Sequence, residues 1–217
     1  MRPTMKHRFL AAAALLAALA APAFAQTTAP ATAQAPAPKE DLVPVAIDTD
    51  LGRIVVALDR GRAPITTANF LRYVDTHRFD GQNFYRAMHM PVANGADGGL
   101  IQGGITTDAR KLFPPIAHEP TSQTGIHNVA GTISMASAGP GTARADFFIL
   151  VSDVPAFDAN GPGGDANGFA AFGHVVEGMD VVKKIWTAPV SPTKGAGPMK
   201  GQMLDPQVKI LKAARVK

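Results

Sequence analysis

The apolar residues of this chain come in short runs, and that most narrows what it can fold into. Val43–Asp48, Arg53–Leu58, Asn83–Met88, Leu100–Gln102, Thr132–Ala136, Phe147–Val151, Phe172–Val176 and Val208–Ala213 are each three to six residues long and end near Gly, Pro, Asp or Asn. Such runs, rich in β-branched and aromatic residues, read as strands. Thr49-Asp50-Leu51-Gly52 between the first two predicts a hairpin turn. Two stretches read as helix. Pro64–Thr76 opens on a proline suited to a first turn and puts Phe70, Leu71 and Val74 on one face; Met179–Trp186 is the other. The two lie far apart along the chain, which does not fit a βαβ alternation. The expectation is a mainly antiparallel sheet closed into a barrel or sandwich.

The N-terminus belongs to a different class of segment. Arg2, Lys6 and Arg8 precede an apolar run from Phe9 to Ala21, followed by Ala23-Phe24-Ala25. The run is about 13 residues, short of the ~20 that cross a bilayer. A basic start, a short apolar stretch and a small-x-small site read as a cleavable export signal over residues 1–25, with Gln26 as the mature start. Residues 26–40 are an Ala/Pro/Thr/Gln tract that cannot form a core and reads as a linker. The folded domain is then 41–217, long enough for one substantial core. This places the mature protein in the periplasm, off the membrane once the signal is removed.

Charge and cysteine content exclude several function classes. Removing the three basic residues of the leader leaves 18 Lys and Arg against 17 Asp and Glu, so the mature chain has no basic stripe for a nucleic acid. With no cysteine there is no disulfide, thiol nucleophile or Cys-bound zinc. The histidines are scattered without metal-ligand spacing. Asp158–Gly168 carries oxygen side chains at short spacing, yet it lacks a closing glutamate and contains Pro162, so a polar turn is expected rather than a calcium loop. No Gly-x-Ser-x-Gly or phosphate-binding glycine loop occurs. No metal or cofactor is expected, and no leftover apolar stripe asks for a second subunit, so a monomer is expected.

Some residues stand out as candidates for chemistry. Arg86 interrupts the strand Phe84-Tyr85-Arg86-Ala87-Met88; strict alternation puts Phe84, Arg86 and Met88 on one face. An arginine on an apolar face is costly unless it is paired or serves a site, and a snorkelling edge arginine is the plain alternative. Gln102-Gly103-Gly104 ends the next strand with an amide and two residues that permit close backbone approach. In Phe147-Phe148 one ring must face away from the other.

Together these segments resemble the cyclophilin family of peptidyl-prolyl cis–trans isomerases. The order Phe79-Asp80-Gly81-x-x-Phe84-Tyr85-Arg86, Leu100-Ile101-Gln102-Gly103-Gly104, Gly131–Pro140, Asp146-Phe147-Phe148-Ile149, Phe157-Asp158 and Ala171-Phe172-Gly173-x-Val175-x-Glu177-Gly178-Met179 matches the family's over roughly 43–213. The resemblance implies a mainly β fold, a closed eight-stranded antiparallel barrel capped by two α-helices, with the active surface outside the barrel. It implies that Arg86 is the catalytic arginine, that Gln102 holds it and the substrate, and that Phe148 floors the proline pocket. Leu100 and Phe157 take the places of a pocket methionine and leucine. Ala136 and Ser137 fall where backbone groups pair with substrate. The implied partner is a proline-containing polypeptide, with no cofactor.

Departures from the pattern are equally specific. Asp146 replaces a glutamine and is expected either to pair with Arg86 or to favour basic peptides. Gly99 replaces a pocket phenylalanine, removing one wall, and Phe169 replaces a histidine or tyrosine, restoring apolar surface. An insertion near His89–Gly98 is expected to be an exposed flexible loop beside the active face. The function implied is X-Pro isomerisation during folding of exported proteins. The alternative is a non-catalytic proline-peptide-binding or chaperone module in which Asp146 has quenched the arginine; an unrelated ligand-binding barrel leaves the ordered motifs unexplained. Ala156 stands where the resemblance places an aromatic residue linked to cyclosporin binding. Weak cyclosporin inhibition is therefore expected in an isomerisation assay, and nanomolar inhibition would contradict it.

Overall fold

The computed structural model describes residues 39–92 and 95–216; the leader expectation, and the linker expectation except for Lys39 and Glu40, lie outside them. Nine strands, β1 (Leu42–Thr49), β2 (Gly52–Asp59), β3 (Asn83–Pro91), β4 (Asp97–Gly104), β5 (Thr132–Met135), β6 (Phe147–Leu150), β7 (Ala171–Glu177), β8 (Val190–Ser191) and β9 (Met203–Arg215), form one sheet. Its order is β1-β2-β7-β5-β6-β4-β3-β9-β8, every pairing is antiparallel, and β1 pairs with β9. Eight strands thus close on themselves, and the two-residue β8 is added outside the ring on β9. Closure leaves the eight without free edges.

The expected elements are in place, with instructive differences. The β1–β2 turn forms as predicted: Thr49 pairs with Gly52, its hydroxyl donating to the Gly52 carbonyl at 2.7 Å and accepting from the Leu51 amide. The two predicted helices are α1 (Pro64–Asp75) and α3 (Met179–Trp186); the four-residue α2 (Thr121–Thr124) and the short β8 carried too little periodicity to be read. β9 is longer than the run Val208–Ala213 because Ala214 and Arg215 also pair with β1 and Met203 with β3.

Alternation divides the side chains between two apolar layers. Val45, Ile47, Ile54, Val56, Ile101, Ile133, Phe147, Ile149 and Phe172 fill the barrel. Phe70 from α1 meets Phe79, Phe147 and Phe172 at ring-centroid distances of 4.9, 5.2 and 5.4 Å, and Val182 and Ile185 of α3 join the same core. A second, separate cluster of Leu100, Phe148, Leu150 and Val154, flanked by Met88, Met90, Ala136, Ala156, Phe157 and Phe169, lies on the other face of the wall. Phe147 and Phe148 therefore divide as alternation requires.

Strict alternation fails at Tyr85. Phe84 pairs with Gly103 and Arg86 with Gln102, so β3 holds one residue more than β4 there. This β-bulge puts Phe84 in the barrel core and Arg86 beside Gln102 and Met88, outside it; the expectation that Phe84 shares a face with Arg86 is overturned. The insertion is also different from an open loop. Strand pairing continues to Met90–Gly98 and Pro91–Asp97, so the extra residues lengthen the paired strands; Ala93 and Asn94 lie outside the described residues. His89 stacks on Trp186 at 4.2 Å, and Trp186 donates to the Met88 carbonyl at 3.0 Å, fixing that strand pair to α3.

The start of α1 has no local cap: Ala63 offers no side-chain acceptor. Its first amides are satisfied from a distance by Glu119, 1% exposed, whose carboxylate accepts from Ile65 and Thr66 at 3.1 and 2.7 Å. An anion at this end also suits the helix dipole. Glu119→Ala should lower unfolding free energy by about 2 kcal/mol, by stranding buried donors. Glu119→Gln, which keeps an acceptor, should lose less, as urea denaturation would measure.

Candidate functional site

Alternate residues of β3, β4 and β6 build one outward surface. Arg86 and Met88, Leu100 and Gln102, and Phe148 line an open groove of about 520 Å³ whose further walls include Ala136, Ser137, Asp146, Phe157 and Phe169. All nine residues singled out in the sequence thus meet in one place. Leu112, Ala138, Thr142, Arg144, Pro198 and Met199 complete the rim. Apart from Ala138, which lies within Gly131–Pro140, the sequence held no signal for these, since they come from irregular segments that only folding brings to the groove.

Arg86 is half-buried and held on several sides. Its Nε donates to Gln202 Oε1 at 2.8 Å, its Nη1 to Gln102 Oε1 at 2.8 Å, and its Nη2 to the Met88 sulfur at 3.0 Å. Gln202, just before β9, escaped sequence reading because it sits in a polar turn more than a hundred residues from Arg86. The Gln102 Nε2 donates to the Tyr85 hydroxyl at 2.7 Å. Arg86 can only donate, so the Gln102 oxygen must face it, which leaves the amide nitrogen to donate to Tyr85. Tyr85 is 5% exposed, and burial, reinforced by the negative charge of Asp146, pushes its hydroxyl pKa up, so it stays protonated. Burial lowers the guanidinium pKa of Arg86 from its high ordinary value; an arginine still keeps its charge.

The apolar half of the groove is a triangle of rings. Phe148 meets Phe157 and Phe169 edge-on at 5.7 and 5.3 Å, and Phe157 lies 4.8 Å from Phe169. The amide of Phe169 donates to the carbonyl of Phe157 at 2.8 Å, tying the two loops together. Phe169 supplies apolar surface here, as expected. Gly99, in contrast, does not line the groove. Its φ is +146°, and a Cβ there would fall 1.8 Å from the Met88 carbonyl oxygen. A phenylalanine has no room at this position, so the wall expected to be missing is absent for a backbone reason: β3 and β4 approach too closely.

Asp146 does not pair with Arg86, whose bonded acceptors are Gln202, Gln102 and Met88. Its Oδ1 is buried without a partner, pressed against Gly104, where a Cβ would lie 2.1 Å away. Loss of solvent pushes the carboxyl pKa up to about 6, against a smaller opposing effect of the Ile105 amide. The Asp146 carbonyl accepts from the Ala136 amide at 2.9 Å, which holds the two sides of the groove together. Asp158–Gly168 is a polar turn in which Asp165 accepts from the Asn167 and Gly168 amides. Among the described residues no three His, Cys, Asp or Glu side chains gather as metal ligands would.

Comparison with known proteins identifies the family and the fold. The family described as cyclophilin type peptidyl-prolyl cis-trans isomerase matches residues 44–214. The peptidyl-prolyl cis-trans isomerase A of Dickeya dadantii is 34% identical over 187 residues, covering 83% of this chain and 85% of the relative. The peptidyl-prolyl cis-trans isomerase B of Escherichia coli is 35% identical over 144 residues, 65% of this chain and 82% of the relative. In fold, the chain is similar to the crystal structure of a cyclophilin type peptidyl-prolyl cis-trans isomerase of Cryptosporidium parvum. The TM-score is 0.63 at 20% identity, over 82% of this chain and 99% of that one. The family model spans nearly all of the barrel from β1 to β9, and the chain belongs to the cyclophilin-type peptidyl-prolyl cis–trans isomerases.

Proposed function

We propose that the chain is exported by residues 1–25 and works in the periplasm as a monomer, accelerating X-Pro isomerisation in proteins that fold after export. Arg86 and Gln102 are its catalytic residues. Phe148, Leu100, Phe157, Phe169, Ala136, Ser137 and Asp146 form the substrate-binding surface. Uncatalysed X-Pro isomerisation takes tens to hundreds of seconds, so a catalyst is of use wherever chains refold after crossing a membrane. The proline-containing partner has a parallel in the Cryptosporidium parvum isomerase, which was also crystallised in the presence of the dipeptide Ala-Pro.

The observation that carries the reading is how Arg86 spends its donors. A guanidinium has five N–H groups. Three are engaged by Gln202, Gln102 and Met88, and none by a carboxylate. Two remain for a substrate, and the three engaged ones hold the group still. The barrier to peptide-bond rotation, about 18–20 kcal/mol, comes from amide resonance. It falls if a twisted amide is stabilised, and no covalent intermediate is required. A fixed cation near the proline nitrogen and the preceding carbonyl favours the state in which the nitrogen lone pair has localised. The ring triangle anchors the proline while the preceding carbonyl swings. The quenched-arginine alternative is weakened, because Asp146 and Arg86 form no ion pair.

Asp146 instead brings a pH-dependent charge to the groove. Its folded pKa, about 6, lies above the 3.8 of a free carboxyl, so the folded chain holds this proton more tightly than the unfolded chain. The stability it contributes is therefore fully present below pH ~4 and is lost as pH rises through ~6.

Measurements on the purified protein test these assignments. In a protease-coupled proline isomerisation assay, Arg86→Ala should lose about a hundredfold or more in kcat/KM. Equal rates for parent and variant would remove Arg86 from the mechanism. Tyr85→Phe, which removes only the fastening behind Gln102, should cost less than about tenfold. In urea denaturation Asp146→Asn should be more stable than the parent at pH 8, by up to about 3 kcal/mol, and should lose that advantage near pH 4.

A further inference from the structure

Beside the groove lies a cationic shoulder that isomerisation itself does not need. Arg72 of α1 and Arg78, just beyond α1, place their Cζ atoms 3.6 and 3.9 Å from the ring centroid of Phe113. Phe113 is buried, and its amide donates to the Tyr73 hydroxyl at 2.8 Å. Arg144 belongs to the same neighbourhood: the positive charges of Arg72, Arg78 and Arg144 all bear on that hydroxyl, opposing the rise in pKa that burial gives it. Arg144 also lines the groove, and Asn69 of α1 donates to its carbonyl at 2.7 Å, so shoulder and groove are continuous.

Asp146, two residues from Arg144, lines the same groove but among the described residues forms no ion pair with it; the other acids nearby are committed elsewhere. Asp108 is bound by Arg110, Asp75 by Arg215, and Glu119 by the first amides of α1. Among the described residues Arg72, Arg78 and Arg144 have no carboxylate partner, and Arg78 spends one donor on the Lys111 carbonyl. A place in the last turn of α1, where a cation is favoured, accounts for Arg72 alone. A guanidinium resting on an aromatic face keeps its N–H groups in its own plane, free for a bidentate acceptor. Next to Arg72 an open recess of about 370 Å³, lined by Ile65, Asn69, Pro115 and Ile116 among others, can take the aliphatic part of such a ligand. With 18 basic against 17 acidic residues beyond the leader, the cluster is a local feature and does not reflect overall charge.

We propose that Arg72, Arg78 and Arg144 form an exosite for acidic side chains of the same polypeptide whose proline occupies the groove. The enzyme would then prefer prolines flanked by Asp or Glu. The inference rests on the isomerase reading for its consequence, and on the arginine geometry for the binding itself.

The test compares one Xaa-Pro peptide extended by a short tail of Glu, Gln or Lys residues. At low salt kcat/KM should be about fivefold or more higher for the Glu than for the Gln peptide, lowest for Lys, and the ratio should shrink as salt passes physiological strength. In Arg72→Gln/Arg144→Gln the Glu-to-Gln ratio should fall close to one; because it is a ratio, it reads the exosite whatever the variant's absolute rate. A ratio near one in the unaltered protein at low salt, or one that survives the double substitution, overturns the proposal. If the Gln peptide is not accelerated at all, the isomerase reading fails. The exosite is then read by NMR titration: amide shifts at Arg72 and Phe113 caused by the Glu but not the Gln peptide support it, and their absence overturns it.

Discussion

A closed barrel has only one inside, and β3, β4 and β6 must fill it while also presenting an apolar surface outwards. Everything functional here follows from that double duty. Ile101, Phe147 and Ile149 pack inwards; their immediate neighbours Leu100, Gln102 and Phe148 form the groove. Because successive side chains alternate, neither face can be changed by sliding a strand without emptying the other. The outward face is thus as firmly placed as the core, which is what a site that works by positioning requires.

The bulge at Tyr85 is where this regularity is broken to useful effect. It moves Arg86 out of phase with Phe84, so that a charge can stand on the outer wall beside Gln102 and Met88. The extra residue is itself used: the Tyr85 hydroxyl holds Gln102, and Gln102 holds Arg86. A chain of hydrogen bonds running from a buried phenol to a half-exposed cation orients the guanidinium without neutralising it. A carboxylate in place of either glutamine would bind the arginine more tightly and leave less of its charge for a substrate. The lengthened β3–β4 hairpin, pinned by His89 on Trp186, keeps Met88 beside the same group.

The sequence and the structure agree most closely where a local period was strong. The hairpin at Thr49–Gly52, helix α1 and the split of Phe147 from Phe148 all follow from alternation or helical spacing. Agreement fails where one residue changes the phase. Nothing in Phe84-Tyr85-Arg86 announces a bulge, because the pairing of β3 with β4 and β9 determines it. Gly99 shows a related limit. Read as a missing side chain, it is a point where two backbones meet too closely for any side chain to fit.

By itself the sequence determined the mainly antiparallel architecture, nine of the residues that meet in the groove, and the resemblance to a family that isomerises X-Pro bonds. These are written in short periods and in motifs of a few residues. Only the tertiary structure decided that Asp146 leaves Arg86 alone, that Gln202 reaches it, and that Glu119 caps a helix more than fifty residues away. It also decided that Arg72 and Arg78 lie over Phe113, with Arg144 between them and the groove. The physical reason is the same in each case. Charges and hydrogen-bond donors act over a few ångströms of space, and barrel closure brings together residues that the chain keeps far apart.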